Sequence, residues 1–558
     1  MGNKWFYELF LSQQGMLAEL MRPTGCLPPV VENNKQSSNL VDVKVVIRVD
    51  SSQSIGSGHL IRCRTLAEEL RRRGANVKFI CRDHPGNLIH LLTRSTFSVT
   101  VLPPPTSLET TAEDYSLWLG VTPETDAVET IEALKGGIPD WLIVDHYGLD
   151  SLWEGKLRPY VGKIMVIDDL ANRPHNCDAL LDQNYQSPQT NRYYGLTPDN
   201  CQLLIGCKYA LLRSEYSEFR SSHIGHSGKL QRVLVFFGGS DPQNITGKVI
   251  TALSSSDFAH LDLDVVVGAS NPHRLALQQQ IKHRPNTIVH ENLPHLAQLI
   301  TSADLAIGAG GTTTWERLCL GLPSLVISIA ENQVSACEAL ASTGAIVYLG
   351  TANRVGAEDI QKAVSFLSSN PPNLVEMSER GCQYVDGLGA RRVAEHLIPT
   401  PKSQLGLRAA RQTDKWLYFD WVNEPEVRCQ SLQSAPINWE DHQSWFSQKL
   451  DDRNCYLGVL EANNLPVGQI RFDMRDDEAV IDYSLDVLVR GRGWAGSLIE
   501  LGIQALKNFT PTYLRADVKI NNLPSRAVFL RLGFKEQQSI NQSIITFRLP
   551  FSLTKKVG

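Results

Sequence analysis

The hydrophobic pattern of the chain changes twice along its length. Over residues 43–216, short β-branched runs alternate with stretches of helical period. Residues 43–50, 75–80, 141–145 and 163–168 are such runs, and each is followed by polar residues. Near-continuous apolar segments of this length predict strands buried on both faces, as in a parallel sheet flanked by helices. A helix is predicted over 65–73, stopped by Gly74. Ligands of such sheets bind beyond the carboxyl ends of the strands. Those ends carry Asp50, the triplet Asp145-His146-Tyr147, and Asp168-Asp169.

A polar, glycine-containing stretch at 221–229 reads as a linker. Strand runs at 232–237, 263–268 and 305–308 follow it, so a second α/β unit is predicted up to about Ile398. Its first strand runs into Gly238-Gly239-Ser240-Asp241, an echo of Gly56-Ser57-Gly58-His59 after the first strand of the chain. Beyond a second linker at 399–406 the pattern becomes antiparallel. Residues 456–461 and 466–472 predict two strands around an Asn463-Asn464 turn. A third strand is predicted over 479–489, then a glycine loop and a helix over 494–507. The expected architecture is α/β: two Rossmann-like domains (41–220 and 229–398) facing a cleft, then an α+β domain (407–549). Residues 1–40, interrupted by polar residues, read as an extension or tether.

Composition acts by exclusion. A chain of 558 residues exceeds what one core supports. Apolar content of 42% and charged content of 20% are those of an ordinary globular protein. A net charge of −5 argues against a nucleic-acid partner or an anionic membrane surface. No apolar run is long enough to span a bilayer. The eleven cysteines are scattered with no CxxC pair, which reads as free thiols and a cytoplasmic location.

Candidate chemistry gathers at three glycine-rich turns. In the first, Gly56 and Gly58 lie between a strand and a helix, a layout that presents backbone N–H groups to phosphate. His59 sits at the helix mouth, where a neutral imidazole can take a proton from water. In the second, residues 308–316 leave a strand and open a helix, with Gly311, Thr312 and Thr313 placed for a diphosphate. Glu316, one turn on, can accept from both hydroxyls of a ribose. Asn332 and Gln333 follow a further strand end. The third turn is Arg490-Gly491-Arg492-Gly493-Trp494-Ala495-Gly496, again between strand and helix. Such loops bind the pyrophosphate of coenzyme A through successive backbone N–H groups.

Taken in order, Gly56 to His59, residues 145–150 and 209–213, Gly238 to Pro242, and Gly310 to Glu316 resemble one family. It is the UDP-2,4-diacetamido-2,4,6-trideoxy-β-L-altropyranose hydrolases of pseudaminic acid biosynthesis, similar in fold to GT-B glycosyltransferases. The resemblance covers about 43–398. It implies release of UDP by attack of water at the anomeric carbon, with His59 as the water-activating base and Tyr147 near the sugar. Gly311, Thr312 and Glu316 match the nucleotide-binding run. The expected substrate contacts are completed by Gly56, Gly58, Arg62, Gly239, Ser240, Thr313, Asn332 and Gln333.

The third turn, with Asn522, Ser525, Phe529 and Gly533-Phe534 downstream, resembles the GNAT acetyltransferases over about 407–549. The resemblance implies acetyl-CoA as co-substrate, held by Val487, Val489, Arg490 to Gly496, Asn522 and Ser525. Phe529 stands where many such enzymes carry a proton-donating tyrosine. Asp482 is the candidate base, at period two with Ser484 and Asp486. Trp421, His442 and Trp445 are candidates for the acceptor side or for plain helix packing.

The expectation is therefore a bifunctional, metal-free enzyme acting on UDP-sugars, hydrolysing one and N-acetylating a 4-amino precursor. Two other classes stand beside it. The first half could transfer a sugar to an acceptor other than water, and either half could bind a nucleotide sugar without turnover.

Overall fold

A computed structural model describes residues 43–106, 115–186, 191–221, 225–268, 270–291, 293–506, 509–537 and 543–552. The expected extension over 1–40 lies outside the described residues.

The first sheet comprises β1 (Lys44–Val49), β2 (Asn76–Arg82), β3 (Ser98–Leu102), β4 (Trp141–Asp145), β5 (Lys163–Ile167), β6 (Ala179–Asp182) and β7 (Gln202–Ile205). Its order is β3-β2-β1-β4-β5-β6-β7, and every pair is parallel. β4 and β6 are buried at every position, which is why these runs read as apolar without alternation. Helix α1 (Gly58–Arg72) follows β1. It starts seven residues before the expected 65, because the glycine turn is itself the first turn of the helix: the Ile61 amide donates to Ser57 O at 3.0 Å. Helix α2 (Ser214–Ser221) closes this stretch.

The second sheet contains β8 (Arg232–Phe236), β9 (Asp262–Val267), β10 (Thr287–Glu291), β11 (Leu305–Ala309), β12 (Ser324–Ser328) and β13 (Val347–Thr351), in the order β10-β9-β8-β11-β12-β13 and all parallel. Helix α3 (Thr313–Cys319) follows β11, and α4 (Gly389–Leu397) comes last.

The cores do not follow the two segments 41–220 and 229–398. Ala390, Val393, Ala394 and Leu397 of α4 are buried in the core of the first sheet, with Leu60, Leu66 and Leu70 of α1. Conversely Cys207, Ala210, Leu212 and Tyr216 belong to a core of the second sheet, with Trp315 and Leu318 of α3. The crossing is tight. A Cβ on Gly389 would stand 2.2 Å from Ala210 O, so the position excludes any side chain. Apolar periodicity says that a helix is buried, not against which sheet.

The third sheet is formed by β14 (Leu405–Ala409), β15 (Cys455–Ala462), β16 (Leu465–Arg475), β17 (Glu478–Leu485), β18 (Tyr513–Lys519), β19 (Lys535–Gln537) and β20 (Ile544–Pro550). Its order is β14-β15-β16-β17-β18-β20-β19. Asn463 and Asn464 both adopt positive φ, 50° and 60°, as the tight turn between β15 and β16 requires. The expected strand over 479–489 stops at Leu485. Asp486 takes the Leu488 amide at 2.9 Å and turns Val487–Val489 into a single 3-10 turn. Helix α5 (Trp494–Ala505) follows the glycine loop, and α6 (Leu523–Arg531) follows β18. β17 and β18 are parallel and pair only at 478–480 with 513–515. Beyond that register they carry no ladder bonds to each other, so the sheet opens between them.

Candidate functional site

In the first sheet β1 and β4 are neighbours, with Val49 opposite Asp145. The turn after β1 therefore lies against the carboxyl end of β4. Gly56 makes that turn possible, with φ 79° and its amide on Ser52 O at 2.9 Å. This sets His59 Nδ1 2.6 Å from Asp145 Oδ1. Asp145 also takes Arg62 Nε at 2.7 Å and Nη2 at 2.6 Å. Burial alone would raise the Asp145 carboxyl, but Arg62 and His59 outweigh it and hold the group well below the ordinary carboxylate range. An ionised carboxylate has no proton to give. The proton of the His59–Asp145 bond therefore sits on Nδ1, so that in the neutral imidazole the lone pair is on Nε2.

Arg62, expected at the substrate, donates to two carboxylates. Its remaining Nη1 reaches Asp169 Oδ2 at 3.2 Å, and its side chain is 4% exposed. It orients Asp145 and Asp169. Asp169 in turn accepts the Tyr147 hydroxyl. Burial, then the Asp169 charge, pushes that phenol well above its ordinary value, so it stays protonated. The Tyr147 ring packs edge-on against His59 at 4.6 Å, and Trp118 and Tyr115 complete an aromatic wall. Asp168, by contrast, is a brace: it holds Arg173 at 2.8 Å and the Ala171 amide at 2.9 Å.

The second glycine turn faces the first. A Cβ on Gly58 would stand 3.9 Å from Thr312 Oγ1, and one on Gly239 would stand 3.9 Å from Ser57 Oγ. Asn332 Nδ2 donates to the Tyr147 hydroxyl at 3.3 Å. A Cβ on Gly310 would land 2.3 Å from Cys337 Sγ, so a larger residue there would displace that side chain. Gln333 accepts the Ile329 amide at 3.1 Å, which shapes the strand end beside Gly311. Ser240 lies in the turn before Asp241, whose carboxylate takes the Ile245 and Thr246 amides, each at 2.9 Å. Thr313 opens α3, and Glu316 lies one turn in. Glu316 Oε2 is buried without a partner. Burial, partly offset by Tyr216, pushes its carboxyl up to about 7. An unpaired buried acceptor suits a ligand hydroxyl. One cleft thus gathers His59, Tyr147, Gly58, Gly239, Thr312 and Asn332.

At the third turn Gly491 and Gly493 have φ 78° and 74°, and no heavy atom stands within 4 Å of a Cβ built at 491, 493 or 496. The backbone face is open. The side chains of the loop's two arginines, both expected at coenzyme A, are engaged within the protein. Arg490 donates to Glu424 and Glu426, both at 2.6 Å, and to Leu485 O at 3.1 Å. Arg492 Nη1 donates to Glu395 Oε1 of α4 at 2.5 Å. Val489 and Trp494 are buried in the core, Val487 is exposed, and Ala495 lies in the first turn of α5.

Asn522 caps α6, accepting the Ser525 amide at 3.2 Å. Ser525 Oγ meets the Tyr483 hydroxyl at 3.0 Å. Tyr483, which the sequence reading missed, packs against the buried Phe529 at 5.9 Å. Its signal was alternation: Tyr483 shares the face of Ala479 and Ile481, and Asp482 takes the other. Asp482 is half-exposed and accepts Gln469 Nε2 at 3.1 Å. Ser484 shares that amide at 3.3 Å, whereas Asp486 lies past the strand and accepts Trp421 Nε1 at 2.9 Å. Trp421 and His442 are buried packing residues, and His442 Nε2 meets Lys415 O at 2.8 Å. Among the described residues, no group of three His, Cys, Asp or Glu side chains is arranged to hold a metal ion.

Comparison with known proteins finds matches in two successive parts of the chain. Residues 233–393 match the glycosyltransferase family 28 C-terminal domain, and residues 404–535 match an acetyltransferase (GNAT) domain. An uncharacterised protein of Methanocaldococcus jannaschii is 24% identical over 88% of this chain and 97% of its own. The UDP-2,4-diacetamido-2,4,6-trideoxy-β-L-altropyranose hydrolase of Campylobacter jejuni is 28% identical over 54% of this chain and 97% of its own. Among solved structures, MurG of Acinetobacter baumannii is 14% identical, covering 64% of this chain and 99% of its own, with a TM-score of 0.46. The chain is thus similar to known proteins in two successive parts, a glycosyltransferase family 28 C-terminal domain over 233–393 and a GNAT acetyltransferase domain over 404–535.

Proposed function

We propose that the chain carries two consecutive activities on one nucleotide sugar. The GNAT domain acetylates the 4-amine of a UDP-4-amino-4,6-dideoxy sugar with acetyl-CoA. The two α/β units then hydrolyse UDP-2,4-diacetamido-2,4,6-trideoxy-β-L-altropyranose to the free sugar and UDP. The observation that carries the hydrolytic reading is the His59–Asp145 pair, buried and facing the second glycine turn across the cleft.

In this mechanism His59 Nε2 takes a proton from water, and the oxygen attacks the anomeric carbon. The bond from that carbon to the UDP oxygen breaks, and its electron pair leaves with the diphosphate. Backbone N–H groups at the start of α3 receive that charge. Asp145 stabilises the imidazolium that forms, Tyr147 and Asn332 border the sugar, and Glu316 takes the ribose.

In the GNAT domain the amine attacks the thioester carbonyl, and its proton passes to Asp482. The C–S bond breaks, and Tyr483 stands where Phe529 cannot serve, able to protonate the sulfur. Opposite faces of β17 would then carry the base and the acid.

The test is incubation of the full chain with UDP-2,4-diacetamido-2,4,6-trideoxy-β-L-altropyranose, followed by phosphorus NMR, beside His59→Ala. UDP release lost in the variant supports the reading. No release from protein that binds UDP overturns it for this sugar, and release only on addition of an acceptor sugar points to glycosyl transfer.

A further inference from the structure

Away from the cleft, at the amino ends of β6 and β7, Cys177 Sγ and Cys201 Sγ lie 3.5 Å apart. Among the described residues this is the one contact between two sulfur atoms. The two strands are parallel neighbours, and the Gln202 amide donates to Asp178 O at 2.9 Å, which holds the backbones together beside the pair. Cys177 is 1% exposed, and Cys201 is half-buried at the surface. Arg158 brackets Cys177, donating to Asn176 Oδ1 at 3.3 Å, to Asn176 O at 2.9 Å and to Asp178.

We propose that Cys177 and Cys201 are a redox-responsive pair that closes to a disulfide when the protein meets a peroxide. The sulfurs must approach by about 1.5 Å to reach bonding distance, a shift within reach of side-chain rotation between adjacent strand ends. Their roles are unequal. The two thiols share one contact in which either sulfur can be the donor, and they differ in access to solvent. Cys201, the more accessible sulfur, is the one a peroxide reaches first.

The chemistry balances. The Cys201 thiolate attacks a peroxide oxygen, forming S–O and breaking O–O, and the departing hydroxide takes up a proton as water. Cys177 sulfur then attacks Cys201 sulfur, forming S–S and breaking S–O, and the second hydroxide leaves as water with the Cys177 proton. Two thiols and one hydrogen peroxide give one disulfide and two waters. The bond would close a ring of chain that contains Arg192 and Tyr193. Arg192 Nη2 donates to Leu170 O at 2.8 Å, and the Tyr193 hydroxyl donates to Asp168 O at 2.9 Å. Closure would thus tighten the segment that backs Asp169.

The experiment treats the reduced full-length protein with equimolar hydrogen peroxide, alkylates the remaining thiols, and maps peptides by mass spectrometry without reductant. The expected result is one Cys177–Cys201 cross-linked species, reversed by dithiothreitol. A rise in Tm of a few degrees should accompany it and be absent in Cys201→Ser. Cys177→Ala should instead accumulate a sulfenic acid on Cys201, trapped by dimedone. If that buried substitution prevents folding, Cys201→Ser alone carries the test. Oxidation of the exposed Cys429 with both proposed cysteines still alkylated overturns the proposal, as does a cross-link from either cysteine to a different partner.

Discussion

The turns at 56–59 and 490–496 share a plan, strand to glycines to helix, yet the protein uses them differently. At the first, side chains join one another: His59, Asp145, Arg62, Asp169 and Tyr147 form one connected network at the helix mouth. At the second, the side chains are drawn off to Glu395, Glu424 and Glu426, and the glycine backbone is left bare. The first arrangement suits proton transfer, which needs a fixed tautomer and an oriented lone pair. The second suits an anion that is held by N–H groups. A glycine-rich turn alone does not distinguish the two uses. The fate of the neighbouring charged side chains does.

The largest expected effect breaks the first network. His59→Ala should slow UDP release by about 10²–10⁴-fold, the range of a general base, and leave acetyl transfer unchanged. Asp145→Asn should fall in the same range, because an amide no longer fixes the proton on Nδ1. Parallel assays of UDP and of free coenzyme A on each variant check both halves at once.

Next comes the bare backbone. Gly493→Val forces a β-branched residue into φ 74°. Left-handed backbone costs about 1–2 kcal/mol, so acetyl-CoA affinity should fall roughly tenfold by calorimetry while hydrolysis persists.

Glu316 sharpens the comparison through pH. Its folded carboxyl titrates at about 7, above the 4.5 of an unburied glutamate. The folded protein therefore holds this proton to higher pH than the unfolded chain. The stability it contributes is full below 4.5 and is lost as the pH rises through about 7. Over the same window ionisation strengthens Glu316 as an acceptor, so UDP should bind more tightly at pH 8 than at pH 6. Glu316→Gln should flatten both trends, read by thermal melts and UDP titrations at the two pH values.

The smallest effect concerns the link between halves. Arg492→Ala removes one partner of Glu395, which keeps Arg73 at 2.5 Å and the Thr400 amide at 3.0 Å. A loss of about 1.5 kcal/mol in denaturant melts is expected, with acetyl-CoA affinity nearly unchanged. A large loss of affinity would mean that Arg492 leaves Glu395 for the ligand.

Much of this was written in local pattern. The runs at 141–145 and 163–168 are strands because unbroken β-branched residues fit only a sheet buried on both faces. Asn463-Asn464 is a turn because asparagine tolerates positive φ, and the three glycine turns stand where they were expected. Val487 and Val489 are the local exception, since one capping carboxylate, Asp486, ended the strand early. The site was legible as a set of loops but not as a set of bonds. His59 and Asp145 lie 86 residues apart, and Arg62, read as a substrate contact, donates to carboxylates 83 and 107 residues away.

By itself, then, the sequence determined the strands, the glycine turns and the residue types able to do the chemistry, because these depend on period, backbone freedom and side-chain class within a few residues. Tertiary structure decided that α4 returns to the first core, that Asp145 orients His59, that Arg490 and Arg492 serve as ties, and that Cys177 meets Cys201. Each of these is a meeting of distant segments. Burial area and charge pairing select such meetings only once the strands are in register, and no local pattern records them.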